Sequence, residues 1–163
     1  MPTLSLAMIV KNEAARLGHC LASVQTLVDE MVVVDTGSTD DTVAIARSFG
    51  ARVSRFDWCE DFSAARNQSL KLCTGEWVLI LDADERLDPA GIALIRTTIT
   101  SAKAQGYLLT IRNHLPSGAY TGTHRGARRD EQGYPEAENL AYITELPALR
   151  LIRNHGRLSL IHI

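Results

Sequence analysis

The chain has 163 residues, 45% of them hydrophobic and 22% charged, with a net charge of −2. That is enough for one domain with a real core and an ordinary globular composition. The near-neutral charge argues against a polyanion-binding surface, so nucleic acid is not an expected partner.

The opening "MPTLSLAMIVKNE" has no basic leader before its short apolar run and reads as no signal peptide. Residues 4–10 form the first of four short apolar, β-branched runs; the others are 31–34, 52–56 and 77–81. Nearly continuous apolar runs suit strands covered on both faces, as in a parallel sheet. Helical patterns lie between them. Leu17, Leu21, Val24 and Leu27 recur near a 3.6-residue period and predict a helix over 14–27. Ser38-Thr39-Asp40-Asp41 offers N-cap chemistry for a second helix, with Ser38 or Thr39 as the cap and Gly50 as the stop. A third helix is predicted over 63–72, ended by Thr74-Gly75, and Pro89 opens a fourth that runs to about Ser101. Strands are predicted at 107–112 and 149–152. Alternating strands and helices in this order predict an α/β fold, an open and mostly parallel sheet flanked by helices. Residues 113–147, rich in Gly, Pro, His and charge, read as a long irregular binding loop or lid. No apolar run reaches the ~20 residues of a membrane span, which leaves only peripheral membrane contact open. Cys20, Cys59 and Cys73 are odd in number and lack C-x-x-C spacing; this argues against a disulfide framework or a zinc site and fits a reducing cytoplasm.

Ligands of open α/β sheets bind at the carboxyl ends of the strands. The polar clusters fall there: Lys11-Asn12-Glu13 after strand one, Asp35-Thr36-Gly37-Ser38 after strand two, Asp57 to Asp61 after strand three, and Asp82-Ala83-Asp84 after strand four. Two carboxylates two residues apart on extended backbone can face one way, and unpaired they repel. A hard divalent cation, Mg²⁺ or Mn²⁺, relieves that repulsion, with phosphate completing its shell. An isolated D-x-D is as readily a turn before a helix N-terminus; its place after a buried strand, among other acids, favours the metal. Asp35, last on its strand and outside the cap, can accept hydrogen bonds from a nucleobase or ribose. Arg66 has the nearby acids, or a diphosphate, as partners. His19, His114, His124 and His155 show no ligand spacing, and Trp58 and Trp77 read as packing residues.

The blocks "SLAMIVKNEAARLGHCLASV", "VVVDTGSTDDTVAIA", "FSAARNQSLKLCTGEWVLILDADERL" and "LRLIRN" resemble successive motifs of family 2 glycosyltransferases with the GT-A fold, a Rossmann-like sheet. The bacterial subgroup with "MIVKNE" and "LDADE" is the nearest. The resemblance implies a nucleotide-sugar donor, most often a UDP-sugar, a divalent metal, an unknown acceptor and inversion at the anomeric carbon. By position, Asp35 would hold the nucleoside and Asp82 would sit by the ribose or a metal-bound water. Asp84 would ligate the metal, with Asp82 as the other metal-site residue. Arg66 would lie near the diphosphate or support Asp82. Val10, Asn12, Glu13, Gly37, Ser38 and Ala83 complete the donor site. Glu85 reads as a supporting or helix-start residue. A general base is also required; Asp130, Glu131, Glu136, Glu138 and Glu145 are available and none is assigned.

The subgroup continues from an "RLFRN"-like strand to a Gly-x-Ile-His-Glu element, whereas this chain closes on "RLIRNHGRLSLIHI". "LSLIHI" is what CTGTCTCTTATACACATC encodes, a string that resembles the transposon-end adapter of sequencing libraries. Residues 158–163 are therefore set aside as an artefact, and residues 1–157 are expected to hold the donor-binding half of the domain and the start of the acceptor half. Two other readings stand beside the transferase. One is a non-catalytic nucleoside-diphosphate-binding fragment. The other is a haloacid dehalogenase-like phosphotransferase, which carries its Asp-x-Asp on the first strand rather than the fourth.

Overall fold

The computed structural model describes residues 1–115, 128–129 and 142–156. The adapter reading at 158–163, His124, and the candidate bases Asp130, Glu131, Glu136 and Glu138 lie outside them.

The elements in chain order are β1 (Leu4–Val10), α1 (Ala14–Val24), β2 (Glu30–Asp35), α2 (Thr42–Ser48), β3 (Arg52–Arg55), α3 (Phe62–Leu72), β4 (Trp77–Ile80), α4 (Pro89–Thr100), β5 (Gly106–Leu115), β6 (Arg128–Arg129) and β7 (Tyr142–Arg153). Among the described residues the strands are ordered β3-β2-β1-β4-β7-β5, with β6 paired to β7. Strands β3, β2, β1 and β4 run parallel, and β7 runs antiparallel to β4. The chain winds outward from β1 to β2 and β3, then returns to the other side of β1 for β4. The strand order therefore reverses between β1 and β4, the switch point at which such sheets open a crevice.

The chain divides into two compact units, Met1–Tyr107 with Arg150–Ile163, and Leu108–Leu149. In the first, β1, β2 and β4 are almost wholly buried, as their apolar runs predict. Leu70 of α3 packs with Ala7, Val32, Val78, Ile80 and Ile152. Strand β3 departs from the expectation: it is the sheet edge and only half buried, with Arg52 and Arg55 exposed. Helix α1 also stops short, at Val24; Leu27 keeps its buried place from the turn that follows. At the amino edge the fully buried Ser5 donates to Glu30 Oε2 at 2.6 Å and accepts from the Gly75 N–H at 2.9 Å. A Cβ on residue 75 would lie 2.8 Å from the Ser5 backbone nitrogen, so only glycine lets the α3–β4 turn approach β1 this closely.

The second unit contains the outer lengths of β5 and β7 with β6. The long irregular stretch expected over 113–147 is thus partly strand: β5 continues to Leu115 and β7 starts at Tyr142. Pro147 hid the strand, because proline removes a ladder donor. It lies between the residues paired with β6 and those paired with β4, outside both pairings. Glu145, one of the candidate bases, pairs with Arg112 at 3.1 Å.

Candidate active site

The β1–α1 and β2–α2 loops are laced together by side chains bonding to backbone. Asn12 adopts a left-handed backbone, φ 55°, a conformation asparagine tolerates better than most residues. Its Oδ1 accepts from the Thr39 N–H at 2.8 Å, and its own N–H donates to Ser38 Oγ at 2.9 Å. The Glu13 N–H donates to Thr42 Oγ1 at 2.7 Å, and the Ala14 N–H donates to Asp40 Oδ2 at 3.1 Å. The first free donors of α1 are therefore satisfied from the neighbouring loop, and Glu13 makes no side-chain cap of its own.

This corrects the expected capping of the second helix. Ser38 and Thr39 do not cap α2, because their polar atoms are engaged by Asn12. Asp40 does that work, its Oδ1 accepting from the Thr42 N–H at 3.0 Å. Thr42 is fully buried and joins both loops. Thr42→Val keeps its shape but strands the Glu13 N–H. The expected cost is about 1–3 kcal/mol, read as a lower urea midpoint. An unchanged midpoint would show that this lacing is not structural.

Asp35 is buried, and its carboxylate accepts from the N–H groups of Gly37 and Ser38 at 3.1–3.2 Å. Gly37 supplies the turn with φ 107°. The Val10 carbonyl accepts from Thr36 N–H at 2.9 Å, and Val10 stands in register with Asp35.

The second group lies across the switch point, where Ala7 of β1 pairs with Ile80 of β4. Asp82, just beyond β4, is held by two arginines. Arg66 of α3 reaches its Oδ1 at 2.7 Å, and Arg150 of β7 reaches its Oδ2 at 3.0 Å. Asp61 caps α3 by accepting from the Ala64 N–H, which fixes the helix that carries Arg66. Arg150 also contacts Glu85 Oε1 at 2.5 Å, and Glu85 Oε2 accepts the Asp82 N–H at 2.9 Å. Sequence reasoning paired Arg66 with Asp82 but missed Arg150. Its signal was present: a lone arginine in the apolar run "ALRLI", in a block that was itself recognised.

Burial acts to raise the Asp82 carboxyl, and the charges and hydrogen bonds of Arg66 and Arg150 more than reverse it, leaving it below the usual carboxylate range. Glu85 is shifted the other way. Burial, with the charges of Asp82 and Asp84, outweighs Arg150 and its hydrogen bond to Asp82. Cys20 donates its S–H to the Asp82 carbonyl. Burial and the three surrounding acids push that thiol up to about 12, so it stays neutral.

Asp84 differs from these neighbours. It is exposed, while Ala83 beside it is buried, and its carboxylate makes no hydrogen bond or ion pair among the described residues. Two buried guanidinium nitrogens, Arg66 Nη1 and Arg150 Nε, have no partner among the described residues. Both atoms are buried, so what the region presents to solvent is one open carboxylate, that of Asp84, beside the arginine-clamped Asp82. That donor set suits a cation with an anion: Asp84 can serve as a single hard oxygen ligand, with diphosphate and water supplying the rest. Asp82 fits a direct ligand less well, because both its oxygens are engaged by arginine. No group of three or more His, Cys, Asp or Glu converges as a metal cage among the described residues.

Other sequence candidates have local partners of their own. Asp57 pairs with Arg55 in solvent, and Glu60 accepts from Trp58 Nε1. Trp77 is fully buried, with Arg153 stacked on its ring, and Trp58 packs edge-on against Phe62; both are packing residues as expected. His19 and His155 are exposed. Among the described residues no helix is long and apolar enough to cross a membrane.

A sheet with this winding and acids beyond β4 at the switch point is an α/β fold of the GT-A type. Glycosyl transferase family 2 matches residues 5–153, and the chain belongs to that family. This removes the dehalogenase alternative. The chain is 56% identical over 118 residues to a TPR repeat-containing protein of Synechococcus elongatus, covering 72% of this chain and 29% of that protein. It is 45% identical over 87 residues to an uncharacterized glycosyltransferase of Rickettsia felis, covering 53% of this chain and 30% of that protein. The chain thus spans under a third of the length of either relative. Among solved structures, S. aureus TarS 1-349 superposes with a TM-score of 0.62 at 22% identity, over 78% of this chain and 41% of that one, which shows a shared fold. Mycobacterium tuberculosis glucosyl-3-phosphoglycerate synthase, in complex with Mn²⁺, UDP and glucosyl-3-phosphoglycerate, gives 0.54 at 26% identity, over 66% of this chain and 42% of that one.

Proposed function

We propose that residues 1–157 form the donor-binding half, and the start of the acceptor half, of a metal-dependent inverting glycosyltransferase. It takes a nucleotide sugar, a UDP-sugar in the first instance. The observation that carries this is the open carboxylate of Asp84 beside the arginine-clamped Asp82, at the switch point of the sheet. The neighbouring synthase with Mn²⁺ and UDP supports the same donor chemistry.

In this reading Asp84 would hold the Mn²⁺ or Mg²⁺. When bound, the cation neutralises charge that builds on the leaving diphosphate. Asp82, kept ionised by its arginines, would accept from the ribose or from a metal-bound water. Arg66, whose guanidinium already holds Asp82, supplies positive charge near the diphosphate. Asp35, with the Gly37-Ser38 turn and the Val10–Glu13 segment, forms the nucleoside end of the cradle. The free cysteines support a reading in which the protein works in a reducing compartment, the cytoplasm. Acceptor and general base are unassigned.

Calorimetric titration of UDP-, GDP- and dTDP-sugars, with and without Mn²⁺, tests the proposal. Binding that strengthens with the metal for at least one donor is expected. No metal-dependent binding to any of them would overturn the donor-site reading.

A further inference from the structure

We propose that Arg150 is a positioning residue. By gripping Asp82 and Glu85 together it holds the 82–85 turn in the shape that presents Asp84 to a nucleotide-bound cation. The proposal rests on the donor-site reading above.

Neutralising Asp82 does not by itself require a second arginine, since Arg66 already covers Oδ1 at 2.7 Å. What Arg150 adds is a closed ring. Its Nη2 lies 3.0 Å from Asp82 Oδ2 and 2.5 Å from Glu85 Oε1. The other Glu85 oxygen accepts the Asp82 N–H at 2.9 Å, and the Glu85 N–H closes the turn onto the Asp82 carbonyl at 3.0 Å. The 82–85 backbone is thus bonded at both ends, and Asp84 is the turn residue left facing solvent.

The ring also sorts charge. Two guanidiniums, Arg66 and Arg150, balance two carboxylates, Asp82 and Glu85. Asp84 is outside that balance, so its charge is the one available to an incoming cation. Without Arg150, Glu85 would face Asp82 and Asp84 with no cation bound to it in this ring. The like charges of these three acids would then repel across the turn itself.

Arg150 is well placed to be rigid. Its side chain is only 13% exposed. It stands on β7 next to Leu151, which pairs in register with Leu79 of β4. Strand β7 therefore sets the position of the guanidinium relative to the end of β4, and a residue supporting a metal ligand from a strand is held more firmly than one on a loop. Partners that orient a metal ligand in this way commonly change metal affinity 10–100-fold when removed.

The test uses Arg150→Met and Glu85→Gln, singly and together, in the full chain. In the protein without ligand, amide hydrogen exchange should speed up at Asp82 by about tenfold or more in Arg150→Met, while β1 amides keep their rates. In titrations with UDP, the gain in affinity produced by Mn²⁺ should fall by about tenfold, with metal-free UDP affinity nearly unchanged. Glu85→Gln should show both effects by itself, so the test stands if Arg150→Met does not fold. Because Arg150 acts through Glu85, the double variant should lose less than the sum of the single losses. Unchanged exchange at Asp82, additive losses, or equal losses of UDP affinity with and without Mn²⁺ would each overturn the proposal. If the unmodified chain shows no Mn²⁺-dependent UDP binding, the donor-site reading fails. The exchange rate at Asp82 then decides separately whether Arg150 shapes the turn.

Discussion

Asp84→Ala is expected to abolish the metal-dependent part of nucleotide binding, by about 100-fold in affinity, while the fold stays intact. The expectation follows from the asymmetry of the two aspartates. Asp82 has both oxygens engaged by arginine, so Asp84 is the only one of the pair with an open carboxylate. Because Asp84 is exposed, its removal should change stability by no more than about 0.5 kcal/mol. The sign of that small change is also set. The Asp84 charge helps to raise the Glu85 carboxyl, so deleting it relieves repulsion and should stabilise slightly. Calorimetry with UDP and Mn²⁺, alongside a thermal melt, measures both. Metal-dependent affinity equal to that of the unmodified chain would show that the metal assignment is wrong.

Asp82→Asn should be costly in a different way. The amide cannot accept from two guanidiniums with a full charge, so Arg66 and Arg150 each lose an ion-pair partner. Removing one member of a fully buried pair costs more, but the Asp82 side chain is 39% exposed, and solvent screens the loss. About 1–3 kcal/mol is expected, with donor binding lost as well. The pH dependence separates this effect from simple misfolding. The Asp82 carboxyl titrates lower when folded than when unfolded. It therefore contributes stability that is present above its unfolded value near 3.9 and is lost as pH falls through the folded value. Glu85 has the opposite sign. Its folded carboxyl is raised, so its contribution is present below its unfolded value and is lost as pH rises through the folded one. Urea midpoints measured from about pH 2 to pH 6 should show a weaker acid-side loss in Asp82→Asn than in the unmodified chain. An identical acid limb in both proteins would mean that the arginine clamp contributes nothing to folding.

The sheet was legible because its signals are local. The run 4–10 is continuous, apolar and β-branched, and β1 occupies those residues. Pro89 opens α4 where a fixed φ and a missing N–H are tolerated. The departures come where a neighbour decides. Strand β3 was grouped with its siblings, but RVSR holds two arginines and a serine, and its edge position leaves it half exposed. Ser38 and Thr39 have the chemistry to cap a helix, but Asn12, far away in sequence, takes their polar atoms.

By itself, the sequence determined the element order from β1 to α4, the family, and the placing of Asp35 and of Asp82 with Asp84 at strand ends, since these follow from local hydrophobic pattern. The resemblance also offered Arg66 as a support for Asp82 or a neighbour of the diphosphate. Only the tertiary structure decided that Asp82 is shared between two arginines, that Glu85 closes the turn, and that Asp84 alone stays open. The physical reason is range. Arg150 lies 68 residues from Asp82 in the chain and meets it only because β7 pairs antiparallel with β4. No periodicity or spacing along one segment encodes that pairing.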